Sequence, residues 1–374
     1  MSTLTELRKL CKEKGLTNYS KKTKEELKSL LAGEEQEEIH RLNYIGSKFQ
    51  LIDWLFETMK LHVPSFENKK IADLFSGTGI VSYFLRKEKA ITISNDAELY
   101  SYYITRSFSE CCYTDSCKDI IETINKELKE GKKETGFITK NYSPYEDCER
   151  MFFTVDNAQK IDYIRKRIEE FTTDFNDKTF LIASLLYSSD SVSNVPAVYG
   201  CYLKNFKDKA KKVIELIPIH NYKTPPKEGC KTYNEDVLKL SVDADIVYLD
   251  PPYNQRQYSK NYFPLNIIAK HPDEQDQEEL KGVTGIPEGC FTSSFCRKGK
   301  PVEESFDKLF SSLKTKWLFL SYNSESIVSK EKMTEIMSKY GSVTVYEQDY
   351  KRFKSFKYNK DTDIQEYLFC LKFN

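Results

Sequence analysis

The sequence has few of the residues that usually build a metal site. Its 374 residues include four histidines, and its ten cysteines lack the paired spacing of a zinc site. We therefore expect free thiols and no bound metal. No apolar run approaches the roughly 20 residues that cross a bilayer, and the N-terminus lacks an apolar signal segment. These absences predict an intracellular protein that does not enter a membrane.

An excess of charge of either sign is also missing, because 57 basic residues balance 57 acidic residues. The whole chain therefore has no net attraction for a polyanion, and a site for one must come from local clusters. Two lysine-rich clusters are present, within residues 204–231 and 351–360. A lysine cluster is more often a solvated surface than a binding site, so neither decides the function alone.

Length and periodicity indicate an α/β protein of about two domains. From residue 43 onward, apolar strand candidates alternate with amphipathic helices, which is typical of a parallel sheet covered on both faces. The chain then ends in an antiparallel hairpin. Strands are predicted at 71–75, 91–94, 246–249 and 317–321, hairpin strands at 342–350 and 366–373, and helices at 49–60, 80–88 and 99–111.

Residues 112–230 interrupt this alternation and predict a separate, largely helical lobe. The segments on either side of it, 40–111 and 231–374, then form the main α/β domain. The helices expected in the lobe lie at 117–131, 158–171, 178–187 and 203–216.

Residues 1–35 predict a small helical hairpin ahead of the α/β domain. Two leucine-rich helices, 4–14 and 24–31, precede an acidic linker at 34–38. The pattern Leu-x-x-Leu-Cys-Lys-x-x-Gly-Leu followed by Lys-Glu-Glu-Leu-x-x-Leu-Leu resembles the SAP module, a helix-loop-helix that binds DNA. A helical hairpin without a ligand is the alternative interpretation.

A glycine turn follows the first predicted strand, in Ile-Ala-Asp-Leu-Phe-Ser-Gly-Thr-Gly at 71–79. Such a turn lets backbone approach a ligand at the carboxyl end of the strand. Ser82 stands where a dinucleotide fingerprint has its third glycine, which argues against a pyrophosphate ligand. Asp96, after the next strand, is placed to bind ribose hydroxyls or, alternatively, to cap a helix.

The predicted strand 246–249 ends in Asp250-Pro251-Pro252-Tyr253. An exocyclic amino nitrogen is a poor nucleophile because its lone pair is delocalised into the ring. The Asp250 carboxylate and the Pro251 carbonyl can accept hydrogen bonds from such an amino group and expose the lone pair, while the prolines stiffen the turn. Tyr253 would stack on the base. A proline turn that merely closes a strand is the alternative.

Together these segments resemble the D12 group of S-adenosylmethionine-dependent DNA adenine-N6 methyltransferases of the restriction-modification kind. The resemblance rests on Asn-Tyr-Ile-Gly-Ser-Lys at 43–48, the glycine motif, Asn95-Asp96, Asn-Glu-Asp at 234–236, and Asp-Pro-Pro-Tyr-Asn-x-Arg-Gln-Tyr at 250–258. Their order, with a target-recognition region between the glycine motif and the catalytic turn, is that of the family.

The resemblance implies a Rossmann-like sheet that binds S-adenosylmethionine, with residues 112–230 as the target-recognition lobe. It implies that Asp96 accepts from the ribose, that Asp236 contacts the cofactor adenine and that Asp73 faces the methionine amino group. Lys48 would hold the methionine carboxylate at a helix N-terminus, and Tyr262 would line the pocket. The cofactor residues expected are Tyr44, Gly46, Lys48, Asp73, Phe75, Gly77, Gly79, Asp96, Asp236 and Asp250, and the catalytic residues are Asp250, Pro251, Pro252 and Tyr253.

The partner implied is double-stranded DNA, from which the target adenine is flipped into the pocket. A cognate restriction endonuclease is a possible further partner, and the sequence leaves the oligomeric state open. Residues 285–300 are expected to close over DNA or cofactor, and residues 321–324 to line the pocket. The alternatives are an RNA amino-methyltransferase, a protein-glutamine methyltransferase, which typically has asparagine in place of Asp250, and a non-catalytic DNA-binding homologue.

Overall fold

The computed structural model describes residues 4–14, 27, 31, 38–350 and 364–374. Seven strands of this part of the chain form one sheet, and two short strands form a separate pair. The strands are β1 (Lys70–Asp73), β2 (Ile91–Asn95), β3 (Lys231–Tyr233), β4 (Ile246–Leu249), β5 (Leu280–Lys281), β6 (Ile286–Pro287), β7 (Trp317–Asn323), β8 (Gly341–Tyr350) and β9 (Ile364–Phe373).

The seven-stranded sheet has the order β3-β2-β1-β4-β7-β9-β8. The first five of these run parallel, whereas β9 pairs antiparallel with β7 and β8 antiparallel with β9. The prediction of an α/β fold with a C-terminal antiparallel hairpin is confirmed. Strand order reverses between β1 and β4, and open parallel sheets bind ligands at the carboxyl ends of the strands beside such a switch point.

The central strands are apolar because helices cover both faces of the sheet. All four residues of β4 are buried, and so are three of the four in β1. The helices are α1 (Leu4–Glu13), α2 (Ile52–Lys60), α3 (Ile80–Lys87), α4 (Leu99–Glu110), α5 (Asp115–Lys129), α6 (Phe137–Tyr142), α7 (Val155–Phe171), α8 (Phe175–Ser191), α9 (Tyr258–Asn261), α10 (Phe263–Ala269), α11 (Pro272–Gln275), α12 (Lys300–Ser312) and α13 (Lys330–Ser338), with short 3-10 turns at Lys48–Leu51 and Ser294–Cys296.

The longer helices of 112–230 begin where a side chain accepts a hydrogen bond from the first turn. Thr114 caps α5, Thr154 caps α7 and Asp174 caps α8. These helices share one continuous apolar core with the sheet, in which Ile161 and Phe180 pack in the same cluster as strand residues such as Ile71. The lobe is thus anchored on the sheet, which fixes its position relative to the carboxyl edge.

The helix predicted at 203–216 is wrong, because this segment consists of turns and extended chain. Its backbone forms turns between residues 207 and 212, and other backbone groups of the segment bond to side chains from elsewhere. The buried Asn157 amide donates to the carbonyls of Ala210 and Lys212 and accepts from the Ile214 N–H. Asn125 bonds both backbone groups of Leu216 in the same way. These bonds replace the i to i−4 pattern that a helix requires.

The first helix of the predicted N-terminal hairpin is present as α1. Its Leu7 and Cys11 are buried against Leu27. The second predicted helix, apart from Leu27 and Leu31, and most of the acidic linker lie outside the described residues. The basic stretch 351–360 lies outside them as well.

Candidate functional site

Four carboxylates meet at the carboxyl edge of the parallel strands. Asp73 ends β1, Asp96 follows β2, Asp236 follows β3 and Asp250 follows β4, and all four line one cavity. Because β3, β2, β1 and β4 are neighbours, residues spread over 178 positions of sequence reach one edge. Parallel pairing therefore assembles this site.

Asp250 is held from two sides. Lys48 Nζ lies 3.0 Å from Asp250 Oδ2, while the Tyr253 hydroxyl donates to Oδ1. Burial raises the pKa of Asp250 above its ordinary value, and the ammonium of Lys48 and the hydrogen bond from Tyr253 oppose that rise. The carboxylate is therefore fixed in orientation as an acceptor at the end of β4.

Lys48 occupies the centre of the site. Its side chain is 3% exposed, and its ammonium also donates to the Gly46 carbonyl at 2.9 Å and lies 4.6 Å from the centre of the Tyr253 ring. The lysine opens a 3-10 turn that leads into α2. The 43–48 segment is thereby joined to the Asp-Pro-Pro-Tyr turn by an ion pair that was not predicted from the sequence.

The two glycines of the turn after β1 have different structural roles. Gly77 has φ +52°, and a Cβ there would lie 3.3 Å from the Tyr44 ring at the cavity. Gly79 has φ +69°, and a Cβ there would lie 2.7 Å from the Thr105 Cα of α4. Gly77 thus keeps the cavity open, whereas Gly79 lets α3 and α4 pack closely and does not line the cavity.

Asp73 and Asp96 are both inside the protein but are bonded differently. Asp73 accepts from the Ser82 hydroxyl at 2.7 Å, and burial raises the pKa of Asp73 to about 7. Asp96 accepts the backbone N–H groups of Gly77 and Glu98. Burial raises the pKa of Asp96 as well, and these backbone bonds oppose the rise. Each carboxylate oxygen of Asp96 can still accept from a ligand hydroxyl.

A stack of tyrosines supports the loop that carries Lys48. The Tyr44 ring lies against Gly77 on one side and stacks on Tyr262 at 4.6 Å on the other. The Tyr262 hydroxyl accepts from the Ile45 N–H, and the Tyr258 ring packs beside Tyr44. Tyr262 is completely buried and lies behind Tyr44 rather than in the cavity wall, which differs from the prediction.

The cavity contains most of the residues predicted from sequence and several that were not. Apart from Gly79, every residue predicted for catalysis or cofactor binding lines it. Part of the predicted closing segment, 285–300, also reaches it, through Phe291, Ser293, Phe295 and Cys296. Glu98 and Glu235 were missed, although each lies within two residues of a predicted aspartate. Burial raises the pKa of Glu98 to about 8.

A wider cleft of about 850 Å³ adjoins the cavity and shares the 44–48 segment and Tyr253 with it. Of the predicted segment 321–324, Asn323 lines this cleft rather than the cavity. Polar and charged side chains from distant parts of the chain also face it: Arg41, Asn43, Asp190, Lys209, Asn254, Glu325 and Glu366. Lys48 and Tyr253, the two partners of Asp250, therefore lie where a narrow cavity and a wide cleft meet.

The cavity fits S-adenosylmethionine by its chemistry. Four carboxylates can accept from amino and hydroxyl groups, whereas Phe75, Ile80, Val81 and Val237 supply apolar wall for a purine ring. At the left-handed Gly77, a Cβ would press on the Tyr44 ring that lines the cavity. Carboxylate acceptors around an apolar slot suit a ligand with an ammonium group, a ribose and an adenine.

Metal-binding clusters and membrane-spanning helices are both absent from the part of the chain that the structure describes. There, no group of three or more histidine, cysteine, aspartate or glutamate side chains is arranged to hold a metal ion. Among the same residues, no helix has both the length and the apolar character needed to cross a bilayer. All ten cysteines are free thiols.

Comparison with known proteins gives consistent matches. Residues 44–336 match the family described as D12 class N6 adenine-specific DNA methyltransferase. The chain is 41% identical over 336 residues to type II methyltransferase M.CviAII of Paramecium bursaria Chlorella virus 1, covering 88% of this chain and 98% of that protein. It is 35% identical to type II methyltransferase M.NlaIII of Neisseria lactamica, with coverage of 88% and 99%, and 33% identical to type II methyltransferase M.FokI of Planomicrobium okeanokoites, with coverage of 88% and 52%.

Proposed function

The chain belongs to the D12 class N6 adenine-specific DNA methyltransferase family, and from this membership we propose that it methylates one adenine of a specific site in duplex DNA after flipping the base out. S-adenosylmethionine is its cofactor and supplies an electrophilic methyl group on a sulfonium. Adenine N6 cannot reach the cavity while the base is stacked, and extrusion costs about a few kcal/mol. The wide cleft beside Asp250 is the proposed place for the extruded base.

The observation that carries the proposal is the position of Asp250 in the cavity wall, bonded to Lys48 and Tyr253, which line both the cavity and the cleft. A base in the cleft would offer its N6 hydrogens to the Asp250 carboxylate and the Pro251 carbonyl. Both are acceptors, and a nitrogen that donates two such bonds moves toward tetrahedral geometry with its lone pair exposed. The Tyr253 ring, which lines both spaces, would pack on the base.

Lys48 and Tyr253 help to keep the Asp250 carboxylate ionised, so that it can accept these hydrogen bonds. A protonated Asp250 would lose acceptor capacity, and burial favours protonation. The ammonium 3.0 Å away favours the ionised form instead. In the proposed cofactor complex, Lys48 would also be close enough to the cavity to bind the methionine carboxylate, while Asp96 and Asp236 would accept from ribose and adenine.

Transfer requires one bond to form and one to break. The N6 lone pair forms the N–C bond as the C–S bond breaks, S-adenosylhomocysteine leaves, and N6 releases one proton. We propose that N6 takes the methyl group by direct displacement and that the enzyme accelerates this step by holding the two reactants in position. Cys296 also lines the cavity, but burial raises the pKa of its thiol to about 11, which disfavours a nucleophilic thiolate.

DNA would lie along the mouth of the cleft, where Arg41 and Lys209 stand. Lys204 and Lys212 are exposed on the same segment as Lys209 and would bind phosphates. Sequence readout is proposed for the lobe 112–230. A partner endonuclease with the same site and an intracellular location belong to this proposal too.

The proposed function is tested by measuring the transfer of tritiated methyl groups from S-adenosylmethionine to unmethylated duplex DNA. Nucleoside analysis of the product identifies the methylated base. We expect N6-methyladenine with the wild type and none with Asp250→Ala. Asp243→Ala is the matched control, because Asp243 is exposed and lies outside the cavity and the cleft. Incorporation into RNA alone would favour an RNA methyltransferase, and cofactor binding without transfer to either acceptor would favour a non-catalytic homologue.

A further inference from the structure

Glu366 is a buried acid at the wall of the cleft. It lies near the start of β9, opposite Asn323 of β7, and its exposed fraction is 5%. Because β9 runs against β7, the beginning of β9 lies at the carboxyl edge where the parallel strands end. Glu366 therefore faces the same cleft as Tyr253 and Asn323.

One oxygen of this side chain lacks a hydrogen-bond partner. Among the described residues, Oε2 of Glu366 is buried and bonds to nothing. Buried polar atoms in folded proteins almost always have a partner, so an unpaired one on a ligand cleft indicates that a ligand supplies it. Glu366 takes no part in the methyl-transfer steps described above.

Burial and the nearby Asp250 carboxylate favour the neutral form of Glu366. The ammonium of Lys48 is already paired with Asp250, and Glu366 has no ion pair within the described chain. Burial raises the pKa of Glu366, the like charge of Asp250 raises it further, and Lys48 and a hydrogen bond from Asn323 oppose the rise. A neutral carboxyl group has one O–H donor, which a carboxylate lacks.

The target base has acceptors next to its amino group. With both N6 hydrogens bonded to Asp250 and the Pro251 carbonyl, the groups of adenine that remain beside C6 are N1 and the nearby N7. Both accept hydrogen bonds and neither donates. An ionised carboxylate would repel their lone pairs, whereas a carboxylic acid complements them.

We propose that Glu366 orients the flipped adenine by donating a hydrogen bond from Oε2 to N1 or N7, the two ring nitrogens on the amino-group side of the base. This inference rests on the proposed placement of the base in the cleft. It makes Glu366 a specificity-determining residue, since a base without that acceptor would leave the acid unpaired again. It also gives β9, which carries none of the sequence motifs, a part in substrate binding.

The experiment combines protein variants with base analogues. Duplexes carry adenine, 1-deazaadenine or 7-deazaadenine at the position that the wild type methylates, and kcat/KM is measured for each. We expect Glu366→Ala to lower kcat/KM on adenine by roughly 10- to 100-fold, as for a lost hydrogen bond to a buried group. Glu366→Gln keeps an N–H donor and should recover most of that loss.

The analogues identify the bonded nitrogen. The wild type should lose activity on the one deaza duplex that lacks the bonded nitrogen. On that duplex, Glu366→Ala should be nearly as active as the wild type. On the other deaza duplex, Glu366→Ala should be as impaired relative to the wild type as it is on adenine. Glu347→Ala and Glu347→Gln are matched controls, because Glu347 is a glutamate of the adjacent strand β8 and pairs with Lys330 away from the cleft.

Three results would overturn the proposal: a wild type indifferent to both analogues, Glu366→Ala within twofold of the wild type, or analogue penalties that persist in full in Glu366→Ala. The first result is measured on the wild type alone, so it would overturn the proposal even where Glu366→Ala does not fold. Failure of the proposed function is different, because the wild type would then form no N6-methyladenine in unmodified DNA. S-adenosylmethionine affinity should be the same in the wild type and Glu366→Ala.

Discussion

The ammonium of Lys48 and the carboxylate of Asp250 form an ion pair of 3.0 Å, with 3% and 17% of their side chains exposed. The two residues are 202 positions apart in the sequence, yet the pair joins the loop before α2 to the Asp-Pro-Pro-Tyr turn after β4. Under the proposed function, stability and catalysis therefore depend on the same contact. Lys48 cannot be removed without leaving a buried carboxylate that has lost its counter-ion.

Lys48→Met should destabilise the protein by about 3–5 kcal/mol, because breaking a buried ion pair leaves an uncompensated charge. Lys60→Met is the control, since Lys60 pairs with Glu88 where about a third of each side chain is exposed, and the loss there should be about 1 kcal/mol or less. Urea denaturation measures both. Equal losses would contradict the structural role given to Lys48, and Lys48→Met with Asp250→Asn should recover part of the stability without activity.

Stability should fall as pH rises because of Asp73. Its pKa is about 7 in the folded protein against 3.8 ordinarily, so between those values the folded state holds a proton that the unfolded state has released. The stabilisation is complete below about pH 4 and is lost by about pH 7, and its full size is on the order of 4 kcal/mol.

Asp73→Asn should therefore flatten the dependence of unfolding free energy on pH in this window. Denaturant titrations from pH 5 to pH 8 measure it, with Asp53→Asn at an exposed position of α2 as the control. An unchanged slope in Asp73→Asn would show that Asp73 is ionised throughout. Asp162 and Glu98, whose pKa values burial raises to about 6 and about 8, would leave a residual slope.

Gly79→Ala should destabilise the protein by about 2–5 kcal/mol, through a strained left-handed backbone and a Cβ forced against Thr105. Gly282→Ala is a matched control, because Gly282 has φ +70° but nothing within 4 Å of the added Cβ. It should cost about 1 kcal/mol. Thermal unfolding separates close packing from backbone strain, and similar losses at both sites would argue that α3 and α4 can move apart.

Asn157→Ala should release the 210–214 segment, since three backbone groups lose their partner at once. We expect a loss of about 3 kcal/mol, faster hydrogen exchange at the Ile214 amide, and weaker DNA binding with unchanged cofactor affinity. Asn205→Ala, at an exposed position of the same segment, serves as the control. Unchanged exchange at Ile214 would contradict the anchoring role of Asn157.

The parts of the fold that sequence predicted well are those set by local pattern. Buried strands such as β4 are short apolar runs, and the turns after β1 and β4 contain glycine or proline at positions that require them. β3 was missed because three residues make no pattern, and it is a strand through its pairing with β2. The segment 203–216 has apolar residues at helical spacing, but Asn125 and Asn157 bind its backbone from other elements, which no local pattern reveals.

The residues of the candidate site likewise fall into those that local motifs predict and those that they do not. Asp250, Asp96 and the glycines lie in motifs, whereas Glu366 reaches the cleft through strand pairing. One signal for Glu366 was available in the sequence. It is an acidic residue in the mostly apolar strand 364–373, at a position where burial of a charge requires a reason.

The tyrosine stack has a consequence for the order in which ligands act. Tyr44 belongs to the segment that ends at Lys48, Gly77 to the cofactor turn, and Tyr262 to the chain that follows the catalytic turn, so the three cannot rearrange independently. If the cofactor tightens this stack and thereby raises the affinity for DNA, DNA must raise the affinity for the cofactor by the same factor. Under the proposed function, the two substrates of the reaction would then be each other's effectors.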